Sequence, residues 1–223
     1  MALLTVHDEL PHRPRRVLVA GSSGSGKSTL ARRIGGVLTV PHVELDGLFH
    51  GPGWRPRLSF VADVQAFSAG PEWVTEWQYP EVRGLLAARC DLVVWLDLPR
   101  RTVVRRSVAR TLRRRWSRTV LWNGNVEPPL RTFVTDRDHV VRWAFRTQPQ
   151  VAPRVGDLLD RYPALTVVRL RRPAEVERWC QGSLGRAGAA GSGRAGRVVA
   201  ATPADDLDGD HGRDHDQQGD TDE

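Results

Sequence analysis

The chain has 223 residues, 40% of them hydrophobic, and its 33 basic and 26 acidic side chains leave a net charge of +7. That length suits one domain plus a tail, with enough apolar residues for a core, and no apolar run approaches the ~18 residues a membrane-spanning helix needs. Two cysteines, Cys90 and Cys180, cannot build a disulfide framework or a four-ligand zinc site and read as small buried hydrophobes.

Residues 1–14 carry a short apolar scrap and then mixed charge, the wrong order for a secretory signal. They read as an amino-terminal extension of a cytoplasmic protein with no membrane partner. From residue 15, short apolar runs alternate with helical patterns. The run at 17–20 (VLVA) is a buried strand feeding a glycine loop, and 29–38 follows as a helix. Residues 43–45 (VEL) form a second short strand, 59–69 a helix, 73–75 (WVT) a third strand and 81–89 a helix. An apolar run at 92–96 (LVVWL) ends at Asp97, and 101–115 is a long basic helix. Helical stretches near 130–147 and 150–162 precede the last strand at 165–170 and a closing helix at 174–180. Strands alternating with helices predict an α/β domain over 15–181, a five-stranded parallel sheet sandwiched by helices.

From residue 182 glycine, alanine and arginine dominate, and an acidic end follows. Little there can be buried, so 182–223 is expected to be a disordered tail. Residues 203–223 hold nine acids against Arg213, a balance of −8 that leaves +15 on the rest. A body of that charge attracts polyanions, whether nucleotides, nucleic acid or its own tail. The stretch from Asp206 resembles a calcium loop but lacks the glycine at its sixth position and the bidentate acid at its end, and reads as solvated tail.

The glycine loop carries the strongest signal. Gly21, Ser22, Ser23, Gly24, Ser25, Gly26, Lys27 and Ser28 match G-x-x-x-x-G-K-[ST] in full, with a strand entering and a helix leaving. Glycines let successive backbone amides converge on an anion, and the helix start adds partial positive charge. Lys27 is expected on the β- and γ-phosphates, the Ser28 hydroxyl on Mg²⁺, and Thr29 at the loop's end beside the triphosphate. Of the 33 basic residues only Lys27 is lysine, and a compact ammonium suits this position better than a planar guanidinium fork. The cofactors expected are therefore ATP and Mg²⁺.

A phosphate loop alone does not separate kinase from switch or motor. A second feature narrows the choice. Arg100, Arg101, Arg105, Arg106, Arg110, Arg113, Arg114, Arg115 and Arg118 crowd nineteen residues that contain no acid. A solvated helix face mixes its charges, because like charges one turn apart repel. The uncompensated cations point to a bound polyanion, which phosphoryl transfer or nucleic-acid binding would each supply; a basic surface enriched by composition is the plain alternative.

With these residues in view, the chain resembles the nucleoside monophosphate kinases, and more narrowly the adenylate-kinase-like proteins labelled topology modulation proteins. The resemblance covers roughly residues 15–150. Beyond the phosphate loop it rests on Val43-Glu-Leu-Asp46, the Trp73 segment, Leu96-Asp97-Leu-Pro99 with the arginine helix, and Asn123-Gly-Asn-Val-Glu127. It implies a P-loop NTPase fold with an arginine-rich lid after the fourth strand, in which Arg106 and Arg110 close over the phosphoryl group. The acceptor site would be formed by the segments after strands two and three, with Arg83 near the acceptor phosphate and Arg142 a further phosphate contact.

Asp46, ending a strand before Gly47, is expected at the carboxyl edge of the sheet, binding acceptor or helping with Mg²⁺, or else standing in a simple turn. Asp97 also ends a strand and reads equally as a magnesium-side acid or as the cap of the next helix. Related proteins read Trp-Val-x-Asp-Gly-Asn-Tyr after strand three, whereas this chain has Trp73-Val-Thr-Glu76-Trp77-Gln78-Tyr79. Glu76 keeps a carboxylate, but Trp77 replaces a glycine, so either the acceptor differs or the site is impaired. Trp54, in a Gly/Pro-rich loop, is placed to stack on an aromatic acceptor or to pack.

The expectation is an ATP-dependent P-loop phosphotransferase whose partners are a nucleoside triphosphate and a small-molecule acceptor bearing a phosphate or hydroxyl. Asp46, Glu76 and Arg83 would face that acceptor, and Ser28 and Asp97 the metal. The rival is an ATP-binding regulatory protein associated with nucleic acid, although no helix-turn-helix, zinc finger or RNA-binding signature accompanies the charge.

Overall fold

The computed structural model describes residues 2–116, 122–125 and 148–195. Five parallel strands form one sheet in the order β1-β5-β4-β2-β3. They are β1 (Ala2–Leu4), β2 (Arg16–Gly21), β3 (Trp73–Glu76), β4 (Leu92–Leu96) and β5 (Thr166–Leu170). The helices are α1 (Lys27–Leu38), α2 (Leu45–Phe49), α3 (Phe60–Ser68), α4 (Pro80–Arg89), α5 (Arg100–Trp116), α6 (Val151–Arg161), α7 (Pro173–Gln181) and α8 (Ser183–Ala195). The helix expected near 130–147 lies outside the described residues.

The period of two along a strand decides how the helices divide. Val17 and Val19 of β2, with Val94, Leu96, Val168 and Leu170, face Leu30, Ile34 and Leu38 of α1, Val103 of α5, Trp179 of α7 and Leu184 of α8. The intervening Leu18 and Ala20, with Val93, Trp95 and Val167, face Leu45 of α2, Phe60 and Val64 of α3, Val82 and Leu86 of α4, and Val155 and Leu158 of α6. Both faces are covered, which explains why β4 reads LVVWL without a polar residue and is buried throughout. Trp73, 1% exposed, seals the start of β3 and donates its indole N–H to the Ser68 carbonyl at 3.1 Å. Cys180 is buried among these apolar residues, as its type suggests, and Cys90 is half buried.

The strand count matches the expectation but its membership does not. Val43 to Leu45 is no strand: His42 makes one isolated parallel bridge to Val74, and the chain then turns into α2 as the Leu45 amide donates to the Glu76 carboxylate. The fifth strand comes instead from the presumed extension, where Ala2–Leu4 pairs with 166–168 of β5.

The expected tail boundary also requires correction. Residues 183–195 are helical, and α8 packs on α1: Leu184 is fully buried and Gly188 lies against the Val37 carbonyl, where a Cβ would stand 2.7 Å from the oxygen. The Ser183 hydroxyl accepts the Leu10 amide at 3.1 Å, tying the segment after β1 to the start of α8. Truncating a fully buried leucine leaves a cavity, so Leu184→Ala is expected to cost about 2–5 kcal/mol in urea unfolding. A change below about 0.5 kcal/mol, the scale of surface substitutions, would show that α8 is an appendage.

Candidate active site

The phosphate loop leaves β2, the strand between β4 and the edge strand β3, at Gly21 and enters α1 at Lys27. Gly26, at φ 100°, stands at the helix N-cap with no side-chain cap and no acid in the first turn. The first-turn amides are thus left for a ligand. Gly24 has φ 80°, and a Cβ there would meet the Ser107 Oγ at 1.9 Å and the Val103 carbonyl at 3.1 Å. Helix α5 therefore sits directly on the loop, through two residues one turn apart.

That seat brings the expected cations together. Arg106 donates from Nη1 to the Ser25 carbonyl at 3.2 Å, and Arg110, one turn further along the same helix, lines the same cleft. The Lys27 ammonium donates to the Ser22 carbonyl at 3.2 Å. Burial pushes its pKa down, the nearby Asp46 and Glu76 carboxylates push it back up, and Arg110 adds to the lowering.

Beside the loop, Asp46 lies in the first turn of α2 rather than at a strand end. Its Oδ1 accepts from Gln78 Nε2 and from the Tyr79 hydroxyl, both at 2.7 Å. Burial first, then the Asp46 charge and hydrogen bond, push the Tyr79 phenol far above its ordinary pKa, so it stays a neutral donor. Tyr79 holds φ 61°, uncommon for a bulky residue, and its ring stacks on Phe49 at 4.2 Å. Glu76 is fully buried at the end of β3, next to the phosphate-loop strand, where it accepts from the Leu45 amide and contacts His42 Nε2, both at 3.3 Å. Burial alone would raise its carboxyl pKa, but hydrogen bonds from His42 and Ser28, the His42 charge and the Leu45 amide outweigh it and hold the pKa below its ordinary value.

A cleft of about 1090 Å³ runs across this region. The loop, Thr29, Arg106 and Arg110 line it, together with Arg33 and Val176 from α1 and α7. Asp46, Trp77, Gln78, Tyr79 and Arg83 line its other side. Trp54, Trp122 and His50 complete an aromatic wall, with His50 at 5.1 Å from the Trp54 ring and 6.4 Å from that of Trp122. The 122–125 segment is pinned there: Asn125 donates to the Gly51 carbonyl at 2.9 Å and accepts the Trp54 amide at 3.1 Å, while Asn123 donates to the His50 carbonyl.

The parallel sheet order and the complete phosphate-loop motif between β2 and α1 make this the P-loop NTPase fold. Among solved structures, the chain is similar to a gluconokinase from Sinorhizobium meliloti, at 20% identity over 82% of this chain and 99% of that one, with a TM-score of 0.46. It is also similar to a sugar kinase from Janibacter sp., at 19% identity over 76% of this chain and 92% of that one, with a TM-score of 0.42. No protein-family profile and no curated protein matches the chain.

The structure does not bring every expected residue into the cleft. Asp97 takes Arg169 Nε at 2.9 Å and Nη2 at 2.5 Å, and lines a separate small cavity with Pro99, Arg171 and Glu175. Its carboxylate is committed to an ion pair, because Arg169 lies beside it at the end of β5. Arg142 lies outside the described residues. Trp77, where the resemblance led us to expect glycine, is not at positive φ; its indole N–H donates to the Arg83 carbonyl at 3.2 Å. Arg154 of α6, His50 and Trp122 also line the cleft, and the sequence reading assigned them no role. None belongs to a spaced motif, and only the fold gathers them.

Gly24→Ala adds about 1–2 kcal/mol of left-handed strain and a collision with Ser107. Triphosphate binding, followed by displacement of a fluorescent ATP analogue, is expected to weaken more than about tenfold, the equivalent of that strain, while the far-ultraviolet circular dichroism is retained.

Proposed function

We propose that this protein is a kinase that transfers the γ-phosphoryl group of ATP to a small-molecule acceptor. The observation that carries this reading is the seating of α5 on the phosphate loop, which sets Arg106 and Arg110 over the same anion cradle as Lys27. Such an arrangement suits a reaction whose catalysis is positioning and charge stabilisation.

In this reading the amides of residues 21–29 and Lys27 hold the triphosphate, and Arg106 and Arg110 stabilise charge on the migrating group. Asp46, its Oδ1 fixed by Gln78 and Tyr79, orients the attacking acceptor oxygen and takes its proton if that oxygen is a hydroxyl. The bond between the γ-phosphorus and the bridging oxygen breaks as the acceptor oxygen bonds to phosphorus, leaving ADP. No covalent enzyme intermediate is required.

Magnesium fits the donors present. Ser28 supplies a hydroxyl and Glu76 a buried carboxylate close enough to interact with it, and hard oxygen donors suit this ion. Among the described residues no group of three or more His, Cys, Asp or Glu side chains gathers as a protein-only cage, and magnesium commonly takes one or two protein ligands with substrate phosphates. When bound, the ion neutralises charge on the β- and γ-oxygens. We assign Glu76 rather than Asp97 to that side of the site, acting through Ser28.

Among the described residues no helix is long and apolar enough to cross a membrane. The test is ADP release from Mg-ATP across an acceptor panel. The correct acceptor is expected to raise turnover, Lys27→Ala to abolish it, and Arg106→Ala to lower kcat on the order of 10²–10³-fold with little change in Mg-ATP affinity. If no acceptor raises turnover while duplex DNA binds with a steep salt slope, the protein is instead a nucleic-acid-associated ATP binder.

A further inference from the structure

Helix α5 buries one side and leaves the other bare. Val103 and Ser107, one turn apart, are buried toward the core and the phosphate loop. On the opposite side Arg101 and Arg105, also one turn apart, are exposed. Neither has an ion-pair or hydrogen-bond partner among the described residues. Asp97, the acid that precedes the helix, is already taken by Arg169. Helix α5 itself contains no acid, and like charges one turn apart repel. The bare side therefore favours an anionic partner.

The chain carries the missing charge further on. Helix α8 ends at Ala195, and residues 196–223 lie outside the described residues. In the sequence, residues 205–223 hold nine acids against Arg213, with Leu207 the only large apolar side chain. Such a segment offers charge and almost no apolar anchor, so it suits an exposed arginine surface better than a groove.

The fold brings this segment within reach. Gly188 of α8 lies against Val37, in the last turn of α1, on the sheet face that α5 also covers through Val103. Helix α1 is about 18 Å long and begins at the loop on which α5 sits. Residues 196–204 alone span up to about 30 Å when extended, so the acids can meet α5 without crossing the sheet. A short tether also holds such a segment at an effective concentration in the millimolar range, which favours it over a polyanion from solution.

We propose that the acidic segment 205–223 docks on the outer side of α5, at Arg101 and Arg105. The contact is electrostatic and salt-sensitive, leaves Arg106 and Arg110 to the cleft, and shields α5 from other polyanions. It does not depend on the kinase reading.

The experiment compares the full ¹⁵N-labelled chain with the free peptide 203–223 by NMR. Spectra are taken at about 0.1 M and about 1 M NaCl, between which the Debye length falls from about 10 Å to about 3 Å. At the lower salt the amide resonances of 205–223 in the chain are expected to differ from those of the peptide, and at the higher salt to coincide with them. Arg101→Gln and Arg105→Gln are each expected to lower the docked population about 2- to 5-fold at the lower salt. The same change at the exposed Arg55 and Arg161 is expected to do nothing. As a variant that alters no described residue, Asp205→Asn, Asp206→Asn, Asp208→Asn and Asp210→Asn together are expected to shift the α5 amides as high salt does. Chain and peptide resonances that coincide at both salts would overturn the proposal, as would equal release by the Arg55 and Arg161 variants. Release of the segment by a non-hydrolysable Mg-ATP analogue would put it in the cleft and overturn the outer-face assignment. If duplex DNA shifts the α5 amides while the acidic segment already matches the free peptide, the surface belongs to nucleic acid instead.

Discussion

The contact between Gly24 and Ser107 is the constraint on which the site depends. Only a glycine lets the phosphate loop pass under α5, and that passage seats two arginines, a turn apart, against the loop. The Lys27 ammonium works in the same confined space. Its charge is disfavoured by burial and by Arg110 but supported by Asp46 and Glu76. Loop, lysine, arginines and carboxylates are therefore interdependent, and displacing α5 would separate the cations from the cradle.

The sheet divides the labour. Side chains that alternate along β2 send α1, α5, α7 and α8 to one face and α2, α3, α4 and α6 to the other. In the proposed reading the triphosphate cradle grows out of the first set and the acceptor wall out of the second, meeting at the carboxyl ends of the strands, where ligands bind in open α/β folds. Glu76 links the two, since it ends β3 beside the loop strand, accepts from the first amide of α2 and adds to the charge felt by Lys27.

How much of this was legible in the sequence depends on distance along the chain. The phosphate loop is contiguous and was readable residue by residue, and the i,i+4 spacing of Arg106 and Arg110 already put them on one helix face. The strands at 92–96 and 165–170 announced themselves as apolar runs. Ala2–Leu4 did not, because three residues on a sheet edge carry no periodicity. Helix α8 was hidden by its composition: four glycines in thirteen residues argue against a helix on propensity, yet they allow the backbone to approach α1, and the burial of Leu184 outweighs the loss. Asp97 read equally as a metal-side acid or a helix cap because nothing in the local sequence reveals Arg169, 72 residues away, as its partner.

The central claim is that backbone amides of the glycine loop grip a triphosphate, and amide hydrogen exchange reads those amides directly. With saturating Mg-ATP, exchange across residues 21–28 is expected to slow strongly, with smaller protection in the first turns of α5. Unchanged exchange there, in protein that is demonstrably folded and exposed to excess nucleotide, would contradict the account.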